Sequence, residues 1–139
     1  MIPFVLDTDT LSLYGEAHPL ILQRVQSRPP QELAITVITV EETLRGWSAL
    51  VRRSARPDQL ARAYRRLAEA VPLLASFPIL PFSEQAIARF GALRRLKLNV
   101  GPMDLRIAAI VLEAGSTLVT RNARDFGRVP GLAFVDWSV

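Results

Sequence analysis

The sequence predicts an α/β domain built on a mainly parallel sheet. Short apolar segments with the character of strands alternate with amphipathic helical segments, and neither an internal repeat nor a low-complexity linker interrupts them. The chain has 139 residues, of which 50% are apolar, and this is enough to bury one substantial core. We therefore assign residues 1–139 to a single domain.

Five short apolar segments have the length and composition of buried strands. They are Phe4–Leu6, Leu33–Thr36, Ile79–Leu80, Thr117–Val119 and Ala133–Val135. The segments with helical patterning are Pro19–Ser27, Val40–Arg53, Pro57 to about Leu74, Ser83–Leu96 and Pro102–Ala114. The last of these helices reads MDLRIAAIVLEAG and is apolar on nearly every side, so we expect it to be buried between layers and to end at Gly115.

The content of histidine and cysteine excludes several kinds of chemistry. The chain has no cysteine and one histidine, His18, which excludes disulfides, thiolate nucleophiles, ordinary zinc sites and paired-histidine catalysis. No run reaches the roughly 18 apolar residues of a membrane helix, and the N-terminus lacks the basic region and cleavage-type site of a signal peptide. These features favour a cytoplasmic protein with no membrane segment.

The basic side chains are almost all arginines. The formal net charge is +4, and Lys97 is the one lysine among 17 basic residues. The planar fork of arginine suits phosphate as well as carboxylate, so nucleic acid or an acidic protein is a plausible partner. Charge alone is explained at least as well by a solvated arginine-rich surface.

Acidic side chains gather at one edge of the predicted sheet. Asp7 directly follows the first strand, and Glu42 lies near the start of the helix after the second strand, for which Thr39 is a candidate cap. Asp104 opens the buried helix, and Asp125 follows the fourth strand three residues after an asparagine. Because ligands bind at the carboxyl ends of parallel strands, these distant residues can share one cleft.

Each acid also has a purely structural interpretation. Asp7 and Asp9 could cap a following helix, Asp104 and Glu42 suit the positive end of a helix dipole, and Asp125 could form a turn. Taken singly, Asp9 and Asp125 are explained better in this way. Taken together, neighbouring carboxylates without a cation would repel one another and raise one another's pKa.

A hard divalent cation removes that conflict. Mg²⁺ or Mn²⁺ takes oxygen ligands, keeps several waters and needs only one or two protein carboxylates. Such an ion can activate water and stabilise the charge that develops during phosphodiester hydrolysis. The sequence therefore favours a nuclease that needs neither histidine nor cysteine.

Four blocks of the sequence together resemble a known family. The segments FVLDTDTLS, AITVITVEETLRG, GPMDLRIAAIVLEAGSTLVTRNARDFGRVPGL and the closing VDW are similar to those of PIN-domain ribonucleases of the VapC toxin type. The resemblance implies a three-layer α/β/α sandwich and a Mg²⁺- or Mn²⁺-dependent endoribonuclease toxin. It also implies a homodimer and a cognate antitoxin that blocks the cleft. Many VapC proteins cut transfer RNA, but the sequence does not identify which RNA this protein would cut.

The resemblance also assigns roles to particular residues. The first family acid falls on Asp7, the second on Glu42 rather than Glu41, and the third on Asp104, and these three are the implied metal ligands. Asp7, Glu42, Asp104 and Asp125 are the predicted catalytic set. Two positions depart from the family: Asp9 replaces the usual asparagine, and Asn122 stands at the fourth acidic position, with Asp125 three residues on.

Two other functions compete with the nuclease. Asp7-Thr8-Asp9 imitates the paired aspartates of haloacid-dehalogenase-like phosphatases. Such an enzyme needs a lysine late in the fold, however, and Lys97 precedes a glycine turn instead of ending a strand. A non-catalytic RNA- or protein-binding module would explain the arginines and leave the converging acids unexplained.

Overall fold

A five-stranded parallel sheet forms the centre of the structure, a computed structural model that describes residues 2–139. The strands are β1 (Phe4–Leu6), β2 (Leu33–Thr36), β3 (Ile79–Leu80), β4 (Thr117–Val119) and β5 (Ala133–Val135). Their order is β3-β2-β1-β4-β5, and every neighbouring pair is parallel. All five strands lie where the sequence predicts them, and the α/β fold class is confirmed.

Seven α-helices connect and cover the strands. They are α1 (Thr8–Gly15), α2 (Pro19–Gln26), α3 (Val37–Arg53), α4 (Pro57–Ala75), α5 (Glu84–Arg95), α6 (Pro102–Ala114) and α7 (Ala123–Phe126), with a short 3-10 turn at Pro30–Glu32. No helix within residues 2–139 is both long and apolar enough to cross a membrane.

Helices cover both faces of the sheet. Val5 and Leu6 are consecutive in β1, so their side chains point to opposite faces, and each belongs to a different buried cluster. The Val5 cluster is built mainly with α5 and α6, and the Leu6 cluster with α1, α2 and α4. As expected, α6 is buried in its middle, residues 107–111, and ends at Gly115 with a left-handed φ of 67°.

The helices differ from the prediction mainly at α3 and α1, and the short helix α7 was not predicted. Helix α3 begins at Val37 rather than Val40, and its cap is Thr36, whose Oγ1 accepts a hydrogen bond from the Thr39 backbone N at 3.2 Å. The candidate cap Thr39 was therefore wrong. The sequence offers helix α1 only as an alternative, with Asp7 or Asp9 as its cap, because a threonine- and aspartate-rich segment has weak helix propensity. It forms because Asp7 caps it.

Candidate active site

Three of the four predicted catalytic residues line one cleft at the carboxyl end of the sheet. The cleft has a volume of about 760 Å³. Asp7, Glu42 and Asp104 line it together with Asp9 and other polar and apolar residues. The cleft lies where the strand order reverses, since the chain moves from β1 to β2 and β3 on one side and places β4 and β5 on the other. Such a reversal is the usual position of a ligand site in parallel sheets.

Asp7 has a structural role and a cleft position at the same time. Its Oδ1 accepts a hydrogen bond from the Thr10 backbone N at 2.8 Å, so the capping interpretation is correct for this residue. The residue is only 6% exposed. Burial raises the pKa of Asp7, hydrogen bonds from Thr120 and Thr10 lower it in part, and the charge of Asp9 raises it further.

Glu42 is held by a hydroxyl that the sequence did not single out. The Thr8 Oγ1 donates to Glu42 Oε1 at 2.6 Å, and the Thr39 hydroxyl lies 3.0 Å from the same Thr8 oxygen. Because the Thr8 proton goes to Glu42, the hydroxyl of Thr39 is the donor in the second contact. The neighbouring Glu41 is exposed and pairs with Arg45 Nη2 at 2.7 Å, which supports the choice of Glu42 over Glu41.

The pKa of Asp104 is raised by burial and by the charges of the other acids. This residue lies in the first turn of α6 and is half-buried. Burial raises the pKa of Asp104 to about 6, with further contributions from the charges of Glu42, Asp7 and Asp125. A carboxylate destabilised by its acidic neighbours is one that a bound cation would stabilise.

The donor set fits a hard divalent cation without forming a closed cage. Within residues 2–139, no group of three acidic, histidine or cysteine side chains is arranged to hold a metal ion by itself. Mg²⁺ requires only one or two protein carboxylates because it retains much of its water shell. Asp7 and Asp104 supply carboxylate oxygens, the chemistry that Mg²⁺ and Mn²⁺ prefer.

Asp125 does not line the cleft that the described residues form. Its Oδ2 accepts from Asn122 Nδ2 at 3.1 Å, and its Oδ1 accepts from Arg128 Nη1 at 3.3 Å. Asn122 itself lines the cleft and caps α7. Of the two candidates for the fourth acidic position, Asn122 is therefore the one that lines the cleft. The charge of Asp125 still contributes to the raised pKa of Asp104.

Arg121 is a cleft residue that the sequence analysis missed. It lies two residues after the end of β4, and its guanidinium makes two hydrogen bonds to Asp9, Nε to Oδ2 at 2.8 Å and Nη2 to Oδ1 at 3.1 Å. Asp9 is the second residue of α1 and does not cap it. The pairing could not be read from the sequence because 112 positions separate the two residues.

An apolar groove opens beside the cleft. It runs between α1, α3 and α4 and encloses about 570 Å³, and the residues it shares with the cleft are Thr8, Ser12 and Glu42. Leu11, Trp47, Leu50, Ala70 and Leu73 provide apolar surface, while Arg53, Arg66, Glu16 and Glu69 add charge. An extended or helical segment in this groove would therefore meet the acidic cleft.

The sequence profile of the PIN domain matches residues 4–132, so the chain belongs to the PIN-domain family. Over 141 residues and 99% of both chains it is 28% identical to the tRNA(fMet)-specific endonuclease VapC of Salmonella typhimurium. It is 29% identical to ribonuclease VapC1 of Haemophilus influenzae, over 97% of this chain and 98% of the relative. The DNA-bound VapBC structure from Salmonella typhimurium superposes with a TM-score of 0.80 at 28% identity, over 99% of both chains.

Proposed function

We propose that the protein is a Mg²⁺- or Mn²⁺-dependent endoribonuclease toxin that hydrolyses phosphodiester bonds of RNA, with transfer RNA as a candidate substrate. The observation that carries the proposal is the cleft shared by Asp7, Glu42 and Asp104, in which burial and then the charges of the other acids raise the pKa of Asp104. The relatives named as VapC ribonucleases support the same activity. Membership of the PIN-domain family argues against the phosphatase alternative.

The proposed roles follow from the contacts of each acid. Asp7 and Asp104 would hold the cation, which, when bound, supplies an activated water and neutralises charge on the phosphate. Thr8 fixes the Glu42 carboxylate through the 2.6 Å hydrogen bond, so Glu42 is suited to position the ion or the attacking water. Asp125 would support the site through its charge and its contact with Asn122.

A comparison of RNA incubated with and without free divalent metal tests the proposal. We expect the purified protein to cut RNA in Mg²⁺ or Mn²⁺ and to stop when EDTA is added, with recovery when metal is restored. Without a metal ion, the phosphate and the clustered carboxylates repel each other because both are negatively charged. Binding of RNA without cleavage under every metal condition would favour the non-catalytic binding module.

We further propose that a cognate antitoxin occupies the groove between α1, α3 and α4, and that the toxin works as a homodimer in the cytoplasm. The groove combines apolar surface with Arg53 and Arg66, which suits an amphipathic segment that carries acidic residues. The guanidinium of Arg66 stacks 5.2 Å from the ring of Trp47, so the basic and apolar parts of the groove are in contact.

Gly46 allows a specific test of this partner site. It lies on α3 in the groove wall, and a Cβ added there would meet no atom within 4 Å. Gly46→Leu should therefore fold well, since leucine has the better helix propensity, but it should narrow the groove. We expect the variant to retain RNA cleavage and to bind the protein encoded by the neighbouring open reading frame at least about tenfold more weakly.

Gly91→Leu is the matched control for that experiment. Gly91 is also a helical glycine with open space around its Cβ position, but it lies on α5, away from the groove. Titration calorimetry or pull-down with the neighbouring gene product compares the two variants with wild type. Equal binding by both variants would place the antitoxin elsewhere, and failure of wild type to bind would argue against the partner itself.

A further inference from the structure

We propose that Arg121 binds the phosphate backbone of the RNA at the mouth of the acidic cleft, and that Asp9 is the residue that positions it. The inference rests on the proposed ribonuclease function and adds a substrate contact to it. Arg121 is the one basic side chain among the described residues that line the cleft. A polyanion that approaches these carboxylates needs a compensating cation near its path, and Arg121 is placed to provide one.

The geometry of the pair leaves Arg121 able to bind a second anion. The bonds from Nε and Nη2 to Asp9 use two of the five N–H donors of the guanidinium. The Arg121 side chain is 48% exposed, so its remaining donors are accessible to a ligand. Two contacts to one carboxylate also fix the plane of the guanidinium, which a single contact would not do.

The ion pair is not required to hold α1 against the sheet. That junction is already fixed by buried hydrogen bonds: Asp7 N donates to the Val119 carbonyl at 3.1 Å, and Thr10 Oγ1 donates to the same carbonyl at 3.1 Å. Both members of the Asp9–Arg121 pair are about half exposed, and exposed pairs contribute little to stability. A purely structural role therefore explains the two-point contact poorly.

The acids around Arg121 stabilise its charge at the cleft. The hydrogen bonds and charge of Asp9 raise the pKa of Arg121, and the charges of Asp136 and Asp7 add to this. Arg121 also lies between Thr120 and the cleft residue Asn122, and the Asn122 backbone N donates to Thr120 Oγ1 at 3.0 Å. The Arg121 cation is thus held among residues that line the cleft, where a phosphate of the RNA would approach.

Arg121→Gln tests the phosphate contact through its effects on KM and on salt dependence. With a short RNA hairpin at saturating Mn²⁺, we expect KM to rise roughly tenfold, the loss of about one charge-assisted hydrogen bond. The slope of log(kcat/KM) against log[salt] should become shallower by about 0.7, the value for one phosphate contact on a single strand. We expect Arg121→Lys to restore the salt slope but only part of the affinity, because lysine lacks the fork.

Arg124→Gln is the matched control, since Arg124 is an exposed arginine on α7 that does not line the cleft. It removes the same charge and should leave both quantities unchanged. The melting temperature should be unaffected in either variant. Equal changes for Arg121→Gln and Arg124→Gln would show that the effect depends on net charge alone. A lower melting temperature of Arg121→Gln with an unchanged KM would show that Arg121 has only a structural role.

The positioning role of Asp9 is tested by a double-mutant cycle. If Asp9 orients Arg121, then Arg121→Gln should raise KM less in an Asp9→Asn background than in wild type. Equal increases in the two backgrounds would overturn the positioning role. The cycle does not depend on whether Asp9→Asn by itself strengthens or weakens RNA binding.

A binding measurement separates this inference from the proposed function. Anisotropy of a fluorescein-labelled RNA hairpin in EDTA reports the Arg121 contact without any cleavage. If wild type fails to cut RNA but Arg121→Gln still weakens RNA binding, the nuclease proposal fails and the phosphate contact stands. If wild type cuts RNA and Arg121→Gln matches it in KM, salt slope and anisotropy, only the phosphate contact is overturned. If Arg121→Gln weakens binding of the antitoxin but leaves RNA binding unchanged, the phosphate contact is also overturned.

Discussion

Asp104→Asn is expected to reduce metal-dependent RNA cleavage at least about 100-fold, because loss of even an indirect partner of a metal site costs about 10–100-fold. Asparagine keeps the size of the side chain and removes the charge on which the neighbouring acids act. In the folded protein that charge is unfavourable, since burial and the charges of Glu42 and Asp7 raise the pKa of Asp104 to about 6. The variant should therefore lose activity without losing stability in EDTA.

Double replacements and Asp125→Asn complete this measurement. If the three acids work as one unit, Asp7→Asn combined with Asp104→Asn should be little worse than either change alone. Asp125→Asn should slow cleavage less and raise the metal concentration required, because Asp125 acts on Asp104 from outside the described cleft lining. Initial rates across a Mn²⁺ titration give both quantities. Cleavage by Asp104→Asn at the wild-type rate would remove this residue from the proposed site.

The sheet could be predicted well because its signals are local. Each strand is a short apolar segment between helices, and the five predicted strands match the structure in their bounds. Helices α3 and α1 were harder because each start depends on a single hydrogen bond that the side chain of Thr36 or Asp7 accepts from a backbone N–H. A threonine or aspartate can make such a bond at several neighbouring positions, so the sequence alone leaves the start of the helix open.

The candidate site was predictable only in part. Asp7, Glu42 and Asp104 come together because the ends of parallel strands must meet, and that rule needs only the order of elements along the chain. The Thr8–Glu42 hydrogen bond and the Asp9–Arg121 pair depend on the direction of side chains across 34 and 112 positions. Asp125 shows the same limit, since spacing placed it near the fourth strand but did not reveal its bonds to Asn122 and Arg128.

Asp7→Asn separates the two roles of that residue. Asparagine caps helices about as well as aspartate, so the Thr10 backbone N keeps an acceptor while the buried charge is removed. At neutral pH in EDTA, the variant is expected to be at least as stable as wild type. Mg²⁺ or Mn²⁺ should raise the melting temperature of wild type by mass action and that of the variant much less.

The pH dependence of this difference follows from the direction of the pKa shifts. Burial raises the pKa of Asp7 and of Asp104 above the value of 3.8 that an unperturbed aspartate has, so the folded state binds protons more readily than the unfolded state. The charges of Asp7 and Asp104 therefore destabilise the metal-free protein. The penalty is complete above the folded pKa, shrinks as the pH falls from the folded to the unfolded pKa, and is absent below the unfolded pKa. For Asp104 the window extends from about 4 to about 6. The stability advantage of either asparagine variant over wild type should grow across this range as the pH rises.

Thermal melts in EDTA and in millimolar Mn²⁺, at pH values on both sides of that window, test the prediction. Asp58→Asn is the matched control, because Asp58 is an exposed aspartate, paired with Arg56 at 3.3 Å, outside the cleft. It should shift neither the metal response nor its pH dependence. Asp7→Ala removes the cap as well as the charge and should cost about 1 kcal/mol relative to Asp7→Asn. If Asp7 is only a cap, metal will not shift the melting temperature of wild type, and Asp7→Asn will be no more stable than wild type at any pH.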